Sequence, residues 1–292
     1  MLQNTHNVLC LDMERIFLRG IQDPARDFLK NCFLSKESIF SYRAQEDGAP
    51  AFAQLQFGER SAVFLYYISL PGTSPANSIE SLCRIAGEAG KAHLLANAPM
   101  HSEQWQFLHA MGFHTYSVQN IWQVNDLPAA RAFSGQWCIE KDQDRSAITS
   151  YYSHFLSPLE LAFQTWNFPD IFHLILHDHS ACVRGVARIR FFVDRAVILP
   201  MLDLRENDEG EDDCMIALLK ECSRYFSKLF IRESTRHPIN TNIFAKREET
   251  CLTEDHFMVR NLVAMNAIRN YQPLELLDEK GIAKPTTPFS HS

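Results

Sequence analysis

Set against itself with a shift of 134 residues, the sequence lays AFAQLQFGERSAVFLYYISL (residues 51–70) on GVARIRFFVDRAVILPMLDL (185–204) without a gap. Six positions coincide: Ala53/Ala187, Phe57/Phe191, Ala62/Ala196, Val63/Val197, Leu65/Leu199 and Leu70/Leu204. The flanks carry the same message. At this shift Asp23-Pro24 falls on Ser157-Pro158, each a capping residue followed by proline at the first helical position, and Ser157-x-x-Glu160 completes a capping box. Three residues further out of phase, SIESLCRIAGEAGKAHLL falls on MIALLKECSRYFSKLFIR and matches Ile79/Ile216, Leu82/Leu219 and Lys91/Lys228. A repeat of this length is too long for a solenoid unit, so two copies imply paired domains. The expected division is 1–130 and 131–270, across the breaker-rich stretch NDLPAARAFSGQ (125–136), with residues 271–292 as a fraying tail. The reading requires two sheets, one for each copy.

Within each copy, period and punctuation order the elements. The first gives a strand in NVLCLDM, a helix after Asp23, and strands SIFSYRA, AFAQLQF and AVFLYYISL. A loop PGTSPAN then leads to a helix SIESLCRIAGEAG, a strand AHLLANA, a helix SEQWQFLHAM and strands from Phe113 to Val124. Gly90 and Gly112 stand where a helix ends in a positive φ. The fold class is therefore mixed α/β (α+β mixed sheet), in two tandem domains related by internal duplication.

With 292 residues, 46% of them hydrophobic, the chain has enough apolar material for both cores. Its net charge of −7 excludes general nucleic-acid binding, which needs a basic stripe. The eight cysteines form no C-x-x-C pair and sit mostly in apolar runs, as reduced thiols in cytosol do. The start MLQNTHNVLCLDMER has neither the basic lead nor the long apolar stretch of a signal peptide, and no segment is apolar for long enough to span a bilayer. The expected location is cytoplasmic, and the expected partner a small-molecule amine or a protein acceptor rather than nucleic acid or membrane.

This element order, with LHAMGFHTYSVQNIWQV near its end, resembles the GNAT superfamily of acyl-CoA N-acyltransferases. There a short helix ends in a Gly-Phe pair and runs into the closing strands, as Met111-Gly112-Phe113 does here, and HFMVRNLVA (256–264) is similar to the family's final strand. The likeness covers residues 7–265 as two tandem domains. It implies that acetyl-CoA or another acyl-CoA is the cofactor and that an acyl group passes to an amine, in the first domain if in either. The alternative is a catalytically degenerate pair kept as a ligand-binding or protein-interaction module.

The resemblance also implies places for the site. Family members hold the cofactor's pyrophosphate on backbone amides of a glycine-rich loop that opens the helix after the fourth strand, an anion site by virtue of free N–H groups and the helix dipole. The thioester lies where two parallel strands splay. Here that loop is LPGTSPANSIE, whose Gly72, Thr73, Ser74, Ala76, Asn77 and Ser78 can offer amides or hydroxyls, although Pro75 removes one donor and Asn77 or Ser78 also suits a plain helix cap. Where the family carries a tyrosine as proton donor stands Leu108. His109 is the catalytic candidate beside it, although one residue turns about 100° around a helix.

The second copy has LRENDEGEDDC (204–214) in place of the loop. Two unit charges about 4 Å apart at an effective dielectric of 20 repel by about 4 kcal/mol, against about 0.3–1 kcal/mol gained at a helix end. The second copy is thus expected not to hold CoA in the family's manner. A solvated surface loop or a divalent-cation site are the other readings. Asn242-x-x-Ala245 matches a family pattern, but the tyrosine expected four residues on is Glu249. His173, His177 and His179 share a face if FHLILHDHSAC is a strand, which suits either a polar hairpin end or a zinc site.

Overall fold

The computed structural model describes residues 8–19, 39–46, 49–57, 62–69, 75–125, 135–156, 160, 170–177, 182–203, 211–235 and 251–262. In chain order these give β1 (Val8–Cys10), α1 (Met13–Arg19), β2 (Ile39–Glu46), β3 (Ala49–Phe57), β4 (Ala62–Ser69), α2 (Pro75–Glu88), β5 (His93–Pro99), α3 (Glu103–Ala110) and β6 (His114–Val124). The second half gives β7 (Gln136–Ile139), α4 (Arg145–Phe155), β8 (Ile171–His177), β9 (Val183–Phe192), β10 (Arg195–Leu202), α5 (Glu211–Ser223), β11 (Lys228–Ser234) and β12 (Cys251–Asn261).

All twelve strands join one sheet in the order β2-β3-β4-β5-β12-β6-β11-β10-β9-β8-β7, with β1 paired to β4. The expectation of a separate sheet for each copy is therefore wrong. Its correction lies in the centre of the order, where the last strand of each half has crossed into the other. Antiparallel β12 pairs with β5, antiparallel β6 pairs with β11, and the two exchanged strands pair with each other. From β2 to β8 the order is a palindrome in which β2 corresponds to β8, β3 to β9, β4 to β10, β5 to β11 and β6 to β12. A pseudo-two-fold axis passes between Val118↔His256 and Gln119↔Asp255, register pairs that interchange under a shift of 137 residues.

The helices obey the same symmetry. The buried stripe of α2, Ser78, Ile79, Leu82, Cys83 and Ala86, reappears 136 residues on as Cys214, Met215, Leu218, Leu219 and Cys222 in α5. The helices thus correspond one residue out from the phase that the sequence match suggested. Each stripe buries its half of one sheet face: α2 with Leu55, Val63, Leu65, Leu94 and Ala96, and α5 with Ala187, Ile189, Ala196, Ile198 and Ile231. Alternation along β9 sends Val186, Arg188 and Arg190 to the opposite face, where α4 packs on Ile175, Val186 and Met201, and α1 on Ile121, Val197 and Phe230.

Helix α1 corrects the expectation of a strand through NVLCLDM. The strand stops at Cys10 and Asp12 opens a helix, its Oδ1 accepting the Arg15 N–H at 3.1 Å. The segments around Asp23-Pro24, Ser157-Pro158 and Asn242-x-x-Ala245, the domain boundary at 126–134 and the tail lie outside the described residues. Gly90 and Gly112 have φ of 73° and 79°, as helix-ending glycines should.

Gly185 in β9 shows how tightly the second half is packed. A Cβ there would lie 2.7 Å from Leu202 Cδ2 and 3.1 Å from the Trp137 ring, whose indole N–H is fixed on the Cys214 carbonyl at 3.2 Å. Gly185→Ala is expected to cost about 1–3 kcal/mol in chemical denaturation. A neutral result would mean that Leu202 and Trp137 are loosely held.

Candidate functional site

The parallel pairs mark the cleft of each half. β4 and β5 pair only over Ala62–Phe64 and His93–Leu95, and β10 and β11 only over Arg195–Ile198 and Lys228–Ile231. Beyond those residues the strands part. Helix α2 follows β4 and begins with Pro75 at its first position, so the Ala76 and Asn77 amides belong to the turn whose N–H groups lack partners within the helix.

In the first half the gap is filled by the protein itself. β1 runs antiparallel to β4 with Val8↔Ser69, Leu9↔Ile68 and Cys10↔Tyr67 in register. Leu11 then bridges the gap: its N–H donates to the Tyr66 carbonyl at 2.7 Å and its carbonyl accepts the Asn97 N–H of β5 at 3.0 Å. Its side chain is fully buried in the core beneath α2. β7, which opens the second half as β1 opens the first, instead pairs with β8 at the end of the sheet order.

Past Leu11 the chain enters a buried ionic network that joins the halves. Glu14 of α1 meets Arg188 at 3.2 Å, Arg190 at 2.9 Å and also Arg232, while Arg190 bonds Asp12 at 3.1 Å and Asp170 at 3.2 Å. Burial by itself would raise the Glu14 carboxyl, but Arg232, Arg188 and Arg190 outweigh it and hold the group well below the usual carboxylate range. Arg232 also lies over the Phe257 ring, 4.2 Å from its centroid, and Arg15 over Tyr66 at 4.5 Å.

At the floor of the gap Asn97 Nδ2 donates to Asp255 Oδ2 at 2.8 Å, and Asn97 Oδ1 accepts the Met13 N–H at 3.3 Å. Asp255 is fully buried, and its Oδ1 has no protein partner. Burial pushes its carboxyl up to about 8; Arg232 works against this, and Asp12 and Glu14 add to it.

The candidates from sequence scatter around this centre. Gly72, Thr73 and Ser74 lie outside the described residues. Ala76, Asn77 and Ser78 all belong to the first turns of α2; Asn77 is exposed, whereas Ser78 lies on the buried stripe, and neither is the N-cap because the helix has already begun at Pro75. His109 is exposed on α3 and stacks on Trp105 at 5.3 Å between ring centroids, in a patch that also brings His256 to 6.2 Å from Trp105. His173 is buried with both ring nitrogens engaged, Nδ1 with Glu140 at 2.9 Å and Nε2 with the Tyr152 hydroxyl at 3.0 Å. Burial lowers its pKa, against the pull of Glu140. His177 is half-buried, and His179 lies outside the described residues. Of the acidic stretch, residues 204–210 lie outside the described residues, and Glu211, Asp212 and Asp213 begin α5.

Sequence reasoning missed Asp12, Glu14, Asn97, Arg188, Arg190, Arg232 and Asp255. One signal was available: in VARIRFF two arginines alternate with apolar residues, which puts both on one face of an interior strand.

No family model matches the chain, and no curated protein matches it in sequence. Solved structures do. A tandem GNAT protein from the clavulanic acid biosynthesis pathway aligns with a TM-score of 0.50 at 12% identity, over 84% of this chain and 90% of that one. The fold is a tandem GNAT fold. A GCN5-related N-acetyltransferase from Kribbella flavida aligns at 0.51 and 10% identity over 74% of this chain and 89% of its own. A putative acetyltransferase from Pyrococcus horikoshii aligns at 0.52 and 10% over 88% and 90%. Within the tandem GNAT fold seen here, no helix among the described residues is long and apolar enough to cross a membrane. Among the described residues, burial raises the thiols of Cys10, Cys83 and Cys222 to about 12, 11 and 12.

Proposed function

We propose that the protein is an acyl-CoA-dependent N-acyltransferase that uses acetyl-CoA or another acyl-CoA, its acceptor an amine on a small molecule or a protein, with the reaction in the first domain. The supporting observation is the parting of β4 from β5 after three paired residues, with the N-terminus of α2 following β4. This is the arrangement that an anionic, amide-bearing cofactor needs: parted strand edges, held in this structure by β1, for the amides and a helix N-terminus for the diphosphate. The gene arose in this reading by duplication, with domains 1–130 and 131–270 and their final strands exchanged. Gly72, Thr73, Ser74, Ala76, Asn77 and Ser78 are the proposed cofactor contacts, His109 is the proposed proton donor, and the proposed compartment is the cytoplasm. When bound, the cofactor supplies the activated acyl group.

Two observations favour a second reading, a degenerate pair that binds a ligand or a protein without catalysis. β1 occupies the first cleft, and His109 faces solvent on α3. Calorimetric titration with CoA and acetyl-CoA separates the two. The transferase reading expects binding that Gly72→Asp abolishes, because that carboxylate repels the diphosphate. Absence of heat, both in the native protein and after loosening of β1, supports the module.

A further inference from the structure

We infer that β1 is an internal competitor for the β4–β5 cleft: residues 8–11 hold, by backbone hydrogen bonds, the slot that an extended amide-bearing ligand such as the arm of CoA would occupy, and the ligand enters only when they leave. The inference rests on the acyl-CoA reading above.

Three observations carry it. First, the occupant satisfies both edges of the gap, since Leu11 donates to Tyr66 on β4 and accepts from Asn97 on β5. A second extended chain bonding the same edges cannot be present at the same time. Second, the insertion is not imposed by the architecture, because β7 at the start of the second half stays on β8. Third, the two parts of the N-terminal segment are held unequally. α1 is fixed by Glu14 and Asp12 on three arginines of β9 and β11, whereas β1 is three residues long and is held by its ladder to β4 together with the Leu11 side chain and the partly buried Leu9, with no ion pair of its own among the described residues. The short strand can therefore peel away about Asp12 while α1 stays in place. A cleft filled for most of the time lowers the apparent affinity by the fraction of molecules in which it is open.

The register offers a reversible lock. Leu11 and Tyr66 share a hydrogen bond, so Cys10 and Tyr67 form the adjacent non-bonded pair, in which antiparallel side chains stand closest. In full-length Tyr67→Cys, a disulfide to the native Cys10 fastens β1 in the cleft, and reduction releases it. Mass spectrometry identifies the linked pair. CoA is titrated calorimetrically into the oxidised and reduced forms, into the native protein and into Leu9→Pro, which removes a ladder hydrogen bond. The expected result is no binding to the oxidised form, binding to the reduced form, and apparent affinity about tenfold or more higher in Leu9→Pro than in the native chain. Addition of CoA should also speed hydrogen exchange at the Leu11 amide. Equal binding by oxidised and reduced forms overturns the competition and leaves the acyl-CoA reading standing. Failure of every form to bind overturns both. If Leu9→Pro does not fold, the oxidised and reduced pair decides alone.

Discussion

Glu14→Ala is expected to destabilise the protein by about 3–5 kcal/mol, because it strands Arg188, Arg190 and Arg232 in the interior without their shared carboxylate. All three arginines are buried, so water cannot take over the lost charge. The change should also loosen α1 from β9 and β10 and free the Arg195 side chain, which donates to the Phe17 carbonyl at 3.1 Å. Urea denaturation at neutral pH measures the loss; a value under about 1 kcal/mol, typical of an exposed pair, would refute the network. The pH dependence follows from the depressed Glu14 carboxyl. Its contribution is fully present above the ordinary carboxylate value of 4.5 and disappears as the pH falls through the lower folded value.

Asp255→Asn is expected to act in the opposite sense and to stabilise at alkaline pH. The folded protein keeps this carboxyl protonated up to about 8, whereas in the unfolded chain it ionises near 3.8. Between those values the folded state binds a proton that the unfolded state does not, so stability falls as pH rises, by about 1.4 kcal/mol per unit at most. Asparagine keeps the shape and a carbonyl for Asn97 Nδ2 and cannot ionise. The variant should therefore gain on the native protein by about 3–4 kcal/mol between pH 5 and pH 8. Parallel stability curves for the two proteins would show that Asp255 is ionised throughout and solvated by means other than those seen here.

The strands and the helices on the first face were legible because one periodicity governs each. Alternation marks β3 and β9, unbroken apolar runs mark β4 and β10, the apolar stripe marks α2 and α5, and Gly112 marks the end of α3. Partner choice was not legible. The residues of β6 and β12 state that each is a strand, but nothing in Gln119 or Asp255 says which half it will close, since an exchanged strand makes the same kinds of contact as a resident one. β1 was hidden for a related reason: VLCLDM is apolar except for Asp12, as a buried strand is, and the Asp12 side chain on the Arg15 amide stops the strand and starts a helix. The central site was hidden because charge usually reads as surface. Arg188 and Arg190 become interior only when α1, from 174 residues upstream, brings Glu14 to meet Arg188.

The crossing of β6 and β12 makes the two halves a clasp rather than two beads on a string. The strand that completes the first half is made only after the other strands of the second half, and β12 must find β5 across about 160 residues of intervening polypeptide. Such distant pairing is slow to nucleate. Until it happens β5 lacks its outer neighbour, and a gene cut at the midpoint would produce two fragments, each carrying the piece that the other needs.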